Sequence, residues 1–325
     1  MQTIASISGH RPTVSVALAA YNGAEYIAGQ LQSLLKQTQV PDEIVISDDS
    51  PDDRTWAAVK PFLTHPQVVY LRNNNPPGIA GNFANALQHC RGEYIFLCDQ
   101  DDVWLSGKVE RLAGELASSP ELDGVFCNSL LVNSNLQPLK TTLFEVRKFT
   151  SQAQKQLLNA GALELFLKRV PLSGHNTAFK RRWLEKLLPF PELAPFYPDT
   201  WIALTIAAAG KWKALNEIHT HYRVHQNNQS SPRSAQWTAA GKARKNQAPL
   251  RNALLAEEIL QRNPENIAPP AQAQLQQFIE HHSIRSKYAP MRLIRSWQIF
   301  REYCSGRYDL YSNGIKSAIA DCIWY

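Results

Sequence analysis

The chain has 325 residues, 44% hydrophobic and 19% charged, with 20 Pro and 15 Gly, a balance that supports a sizeable core and excludes a disordered, collagenous or low-complexity protein. At the usual ~100–200 residues per domain it holds one large domain with an appendage, or two domains. The net charge of +6 lies wholly in the last third: residues 231–325 carry 13 basic and 7 acidic side chains, whereas residues 1–230 carry 21 of each.

Thr13–Ala20 (TVSVALAA) is a continuous apolar run and is predicted to be a buried strand. Tyr21-Asn22-Gly23 is a turn signal, and Ala24–Gln37 then places Ile27, Leu31, Leu34 and Leu35 on one helical face. Glu43–Ser47 reads as the second strand, Thr55–Leu63 as a helix, Gln67–Leu71 as the third strand, Ile79–Cys90 as a helix and Glu93–Cys98 as the fourth strand. Apolar strands alternating with helices predict a parallel sheet covered on both faces, with ligands beyond the strands' C-terminal ends. Past Leu122–Val132 the pattern is less regular, with a helix predicted at Ser151–Leu167, a strand at Asn176–Lys180, a helix at Trp201–Ala209 and extended chain at Lys213–Val224. A polar stretch from Asn227 (QNNQSSPRSAQ) reads as a linker or loop, and Leu250–Leu260 and Ala271–Tyr303 read as helical.

The predicted strand ends carry the chemistry. Asp99-Gln100-Asp101-Asp102 follows the fourth strand, so its carboxylates reach the sheet edge on a short loop, a hard-oxygen arrangement suited to Mn²⁺ or Mg²⁺ with phosphate oxygens completing the shell. The alternative is an acidic turn capping the next helix. Asp48-Asp49 ends the second strand, where a carboxylate can accept from a uracil or thymine imide or from a ribose hydroxyl; the competing reading is an Asx-type turn.

Four ordered segments, VSVALAAYNGAEYIAGQLQSLLKQT, EIVISDDSPDDRT, NNNPPGIAGNFANAL and GEYIFLCDQDDVWLSGKVERL, resemble the nucleotide-binding half of family 2 glycosyltransferases, and DQDDVW resembles rhamnosyltransferase-like members. The resemblance covers residues 13–112 strongly and continues more weakly to about residue 228. It implies an α/β fold of GT-A type, a Rossmann-like, mostly parallel sheet with helices on both faces, followed by a mainly helical C-terminal extension. Residues 1–230 would form the catalytic domain, with a nucleotide-sugar half at about 13–120 and an acceptor half at about 121–230, and 231–325 the basic extension.

Carried onto matching positions, the resemblance implies that Ala19, Ala20, Tyr21 and Asn22 line the base and ribose, with Asp49, and Asp48 beside it, binding the nucleoside. Asp99 and Asp101 would be the D-x-D pair that holds the metal, Asp101 as the more direct ligand, Asp102 would orient the sugar or the metal's waters, and Gln100, Asn82 and Asn85 would approach the nucleotide sugar. Asp199, in PDTW, would be the base that deprotonates the acceptor hydroxyl of an inverting transfer; its alternative is a helix cap. His225 would reach the metal or diphosphate, with Arg223 as a diphosphate or sugar partner. His175 and the aromatics around Trp201 are acceptor-side candidates, each with core packing as its alternative.

The expected activity is metal-dependent, inverting transfer from a UDP- or dTDP-sugar, dTDP-rhamnose among them, to a glycan or lipid-linked glycan in surface polysaccharide assembly. Two competing functions are a non-catalytic sugar- or polyanion-binding module and a zinc hydrolase using His219, His221 and His225. The absence of G-x-G-x-x-G after the first strand disfavours a dinucleotide oxidoreductase. No apolar run approaches the ~18–20 residues of a membrane span, Met1–Arg11 lacks a signal pattern, and five cysteines without C-x-x-C spacing fit a reducing, cytoplasmic setting. The basic tail, in which Trp297, Ile299, Phe300 and Tyr303 alternate with Arg292, Arg295 and Arg301, suggests an anionic membrane surface rather than nucleic acid as partner, with packing on the domain or a homodimer as alternatives.

Overall fold

The computed structural model describes residues 11–193, 196–225, 228, 239–262, 264–289 and 291–324. Most of the polar stretch read as a linker, and Met1–His10, lie outside the described residues. Among the described residues nine strands form one curled sheet: β1 (Val14–Ala20), β2 (Glu43–Asp48), β3 (Val68–Arg72), β4 (Tyr94–Asp99), β5 (Val103–Trp104), β6 (Gly124–Val132), β7 (Pro138–Thr142), β8 (Thr177–Lys180) and β9 (Trp212–Arg223). Their order is β3-β2-β1-β4-β8-β6-β9-β5, with β7 paired to β6. The first four run parallel, β8 lies antiparallel between β4 and β6, and β6 and β9 are again parallel.

Alternation with period two fills both faces. On β4, Ile95 and Leu97 enter one core while Tyr94, Phe96 and Cys98 enter the other; on β1, Ala17 opposes Val16 and Leu18. Helices Ile27–Leu35 and Lys108–Ser118 cover one face, and Ile79–His89, Ala162–Lys168 and Pro198–Ala209 the other. Fully burying each large apolar side chain contributes about 1.5–3 kcal/mol, so a two-faced core of this size anchors the strand ends firmly.

Three segments differ from expectation in instructive ways. The helix expected over Ser151–Leu167 is two, Ser151–Ala160 and Ala162–Lys168, parted by Gly161 at φ +84°. The one expected over Thr55–Leu63 is Arg54–Val59 followed by a 3-10 turn, Lys60–Thr64, with Pro61 near its start, where no N–H is needed. The helical stretch Ala271–Tyr303 is divided into Pro269–Ser286 and Arg292–Cys304.

Much of the C-terminal region shares the main core. Ala253, Ala256 and Ile259 of helix Ala239–Arg262 and Leu275, Phe278 and Ile279 of helix Pro269–Ser286 pack in the cluster that holds Phe166, Trp201 and Ile206. A smaller cluster joins Tyr288, from the connection after Ser286, to Ile299, Tyr308 and Ala318 of the last three helices, Arg292–Cys304, Arg307–Tyr311 and Ile315–Trp324. Among the described residues no helix is long and apolar enough to cross a membrane.

Candidate active site

Strand register gathers the predicted residues. Ala19 pairs with Asp99 and Ala20 with Asp48, so three strand ends lie side by side. The strand order turns back between β1 and β4, which is where open α/β sheets bind ligands. A cavity of about 430 Å³ opens there. Of the predicted site residues, Ala19, Ala20, Tyr21, Asp49, Asn82, Asp99, Gln100 and Asp101 line it, together with Tyr222 and Asn228, which the sequence did not single out.

The cavity's nucleotide-side wall is braced by hydrogen bonds. The Gln100 side chain clips the Tyr21 backbone, its amide donating to the Tyr21 carbonyl at 2.8 Å and its oxygen accepting the Tyr21 N–H at 2.9 Å. Asn82 donates to the Ala20 carbonyl at 2.7 Å, while its buried Oδ1 has no protein donor and so is available to a ligand. Asp49 accepts from the Gly78 N–H at 2.6 Å and from Asn73 Nδ2 at 3.0 Å. A Cβ on Gly81 would lie 1.8 Å from the Pro76 carbonyl, forcing apart the turn that delivers this N–H. Gly81→Ala should therefore raise the donor KM by about tenfold, the worth of one charge-assisted hydrogen bond, with little change in kcat in initial-rate assays.

Other candidates sit behind this wall. Asp48 is buried and fully engaged, accepting from Ser50, from the Tyr70 hydroxyl at 2.6 Å and from Arg72 at 3.3 Å. Asn85 donates to Ser47 Oγ at 2.9 Å, and Asn22, at φ +51°, donates its backbone N–H to Ser50 Oγ at 2.8 Å. None of the three lines the cavity.

Beyond β4 the acidic loop meets the end of β9. His225 Nε2 lies 2.8 Å from Asp101 Oδ2, and Asn228 Nδ2 donates to the same oxygen at 3.3 Å. Arg223 is committed to backbone: Nε donates to the Asp101 carbonyl at 2.7 Å, Nη1 donates to the Ser134 carbonyl, and the guanidinium lies 4.6 Å over the Tyr26 ring. It scaffolds the loop and does not reach the cavity.

Behind the loop stands an acid–imidazole cluster in which Asp102 and His175 are buried and Asp99 reaches the cavity wall. Asp99, Asp102 and His175 offer ligand atoms within 4.8 Å of one another, the one such trio among the described residues. His219, His221 and His225 form no such group, so the structure does not support the zinc-hydrolase arrangement. His175 stacks on Tyr222 at 4.5 Å, and its Nε2 lies 3.1 Å from Ser129 Oγ. It is wholly buried rather than turned to an acceptor, and burial, with Lys108 nearby, drives its pKa down to about 3, so the ring is neutral. Burial first, then the Asp101 charge, raises Asp99 to about 7; burial and the Asp101 and Asp99 charges raise Asp102 well above the ordinary range. Asp102 accepts the Arg223 N–H at 2.9 Å through Oδ1, and its Oδ2 has no protein donor.

Lys108 was not foreseen. It is fully buried on the apolar face of its helix with Val109, Leu112, Ala113 and Leu116, and a lysine in that phase was the available signal. Its ammonium donates to the His175 carbonyl at 2.5 Å and to Thr220 Oγ1 at 3.0 Å, and lies 3.5 Å from the Trp104 ring centroid. Burial lowers its pKa to about 8, while the charges of Asp102 and Asp99 act in the other direction. Lys108→Met leaves the buried His175 carbonyl without this donor. Stability should fall by about 2 kcal/mol, read as a drop in Tm of roughly 3 °C for a chain of this length.

Asp199, outside the residues that line the cavity, occupies the first turn of helix Pro198–Ala209 and accepts the Thr200 N–H at 2.7 Å, which engages only Oδ1. Burial raises its pKa, opposed by Arg147, and the Asp99 charge raises it further. Arg147, also unforeseen, donates to Ser173 Oγ at 3.1 Å. Trp201 is fully buried, its indole donating to the Leu187 carbonyl at 3.0 Å, which removes it from any acceptor surface. The helix around it buries residues on all sides, so an aromatic there becomes core.

Comparison with known proteins bears on the family and the fold. WfaP of Escherichia coli, named UDP-Glc:alpha-D-GlcNAc-diphosphoundecaprenol beta-1,3-glucosyltransferase, is 36% identical over 213 residues, spanning 65% of this chain and 77% of its own. WfgD of the same organism, with the same activity in its name, is 24% identical over 234 residues, 70% and 85% of the two chains. S. aureus TarS, solved with UDP-GlcNAc, superposes with a TM-score of 0.57 at 18% identity over 90% of this chain and 80% of its own. The mannosyltransferase PcManGT from Pyrobaculum calidifontis, solved with GDP-Man and Mn²⁺, gives 0.53 at 19% identity over 92% and 76%. These structures share the GT-A fold with the chain. The family described as Glycosyl transferase family 2 matches residues 15–188, more than half the length, and the chain belongs to that family.

Proposed function

We propose that the protein transfers a hexose, with inversion, from a nucleoside diphosphate sugar to a lipid-diphosphate-linked glycan during polysaccharide assembly. The observation that carries this reading is the meeting of Asp49, from the end of β2, with Asp99 and Asp101, from the end of β4, around one cavity. The names of WfaP and WfgD support a UDP-hexose donor and a diphosphoundecaprenol-linked acceptor.

In this mechanism Asp49 and the Ala19–Tyr21 backbone hold the nucleoside, and the free Oδ1 of Asn82 accepts from a donor hydroxyl. Asp101 and His225, a carboxylate oxygen and an imidazole nitrogen that share a hydrogen bond at 2.8 Å, would be a donor set that fits Mn²⁺ or Mg²⁺ once the ion takes the place of that proton, with Asp99 nearby at the end of β4. The ion, when bound, supplies positive charge that stabilises the departing diphosphate. Asp199 takes the acceptor hydroxyl's proton as that oxygen attacks the anomeric carbon opposite the breaking carbon–oxygen bond. The products are the glycoside, the nucleoside diphosphate and one proton.

The test is a screen of nucleotide sugars for nucleoside diphosphate release, with Mn²⁺, Mg²⁺ or EDTA. UDP-hexoses head the screen, and dTDP-rhamnose, suggested by the DQDDVW likeness, is its second arm. Release from at least one donor, abolished by EDTA, is the expected outcome. A chain that binds donors yet releases no diphosphate under any condition is a binding module, and the proposal then fails.

A further inference from the structure

The last helices leave a continuous apolar face uncovered. On helix Arg292–Cys304, Arg295, Ile299 and Glu302 point inward, leaving Leu293 84%, Trp297 58% and Phe300 64% exposed along one stripe. Met291 and Ile294 are also exposed. The adjoining helix Ile315–Trp324 buries Ala318 and Asp321 and repeats the pattern, with Ile315, Ile319 and Ile323 each more than half exposed.

The inward faces are locked by polar contacts, so these stripes do not result from a loosely packed bundle. Arg285 pairs with Asp321 at 2.7 Å, Arg307 with Glu302 at 2.7 Å, and the Tyr308 hydroxyl donates to Asp321 at 2.6 Å. Apolar surface of this extent on a water-soluble face is costly and marks a contact site.

We propose that this face docks onto an anionic phospholipid bilayer, with both helices lying in the plane of the interface. Among the described exposed side chains of residues 287–324, cations outnumber carboxylates, with Lys287, Arg301 and Lys316 against Asp309 alone. Arg301 lies 5.0 Å over the Trp297 ring, joining the cation to the aromatic that would sit at headgroup depth. A second copy of the chain would bring like charges together across a two-fold axis, whereas anionic headgroups complement them. The inference stands apart from the catalytic reading: a lipid-linked acceptor gives the docking a purpose but none of its binding contacts.

The test is co-sedimentation of the full chain with vesicles of about three parts phosphatidylethanolamine to one of phosphatidylglycerol, beside vesicles of phosphatidylcholine alone. The chain should pellet with the anionic vesicles and at least tenfold less with the neutral ones. The triple variant Leu293→Ser, Trp297→Ser, Phe300→Ser should lower partitioning on the order of a hundredfold. Its far-ultraviolet circular dichroism and lipid-free donor hydrolysis should be unchanged, which separates failure here from failure of the catalytic reading. Should that variant misfold, Ile319→Ser with Ile323→Ser reads the same face. Absence of vesicle-dependent pelleting, or variants that pellet like the parent, overturns the proposal. A lipid-free dimer that the same substitutions split, without vesicle binding, assigns the face to a second copy and equally overturns it.

Discussion

Asp199→Asn is expected to lower turnover by about a thousandfold while leaving donor affinity nearly unchanged, because a positioned base contributes roughly 10²–10⁴ in rate. The substitution is chosen to separate two roles. An asparagine keeps an oxygen that can accept the Thr200 N–H, now held by Asp199 at 2.7 Å, so a residue needed only to hold the helix start would lose little. Only proton acceptance disappears. Burial raises the Asp199 pKa, so turnover should rise with pH through that raised value and level off above it. The stability sign is opposite: the native carboxyl binds its proton more tightly than the unfolded one, so ionisation costs stability as pH rises from the unfolded value through the folded one. The Asn variant should therefore be no less stable than the parent at neutral pH. Near-normal kcat, or an equal loss of kcat and Tm, would remove Asp199 from the base role.

The second large effect concerns Asp101. Asp101→Ala should reduce kcat/KM on the order of a thousandfold and abolish stimulation by Mn²⁺. His225→Ala, removing the partner 2.8 Å from that carboxylate, should cost about 10–100-fold. Calorimetry of nucleoside diphosphate binding with and without Mn²⁺ distinguishes this from misfolding. An Asp101→Ala protein whose affinity still depends on the ion would place the metal elsewhere, and the Asp99–Asp102–His175 trio would be the first place to look.

Much of the nucleotide-binding half was legible because its strands are short apolar runs that end in polar loops. Register does the rest, and residues 13–99 could be read almost strand by strand. Which of two neighbouring carboxylates faces the ligand was not legible. β2 is buried on both faces, so its apolar pattern gives no phase, and only the structure shows Asp48 tied to Tyr70 and Arg72 while Asp49 meets the cavity. The acceptor half was harder for a related reason. β6 sits between an antiparallel and a parallel neighbour, and pairings among residues so distant in sequence leave no local mark. His175 could not be placed from the sequence either, since its burial depends on Tyr222, Ser129 and Lys108, which come from three other segments.

The interleaving of helices Ala239–Arg262 and Pro269–Ser286 with the main core has a practical corollary for protein engineering. Arg262 stacks 5.3 Å over Trp201, and Ile259, Phe278 and Ile279 share that cluster. A truncation near residue 230 would strip the cladding from the segment that carries Asp199 and yield an insoluble fragment. Trimming after Ser286 would remove Tyr311 from that same cluster and leave Arg285 and the buried His281 without Asp321 and Glu302, so the outer helices belong to the unit that must be expressed whole.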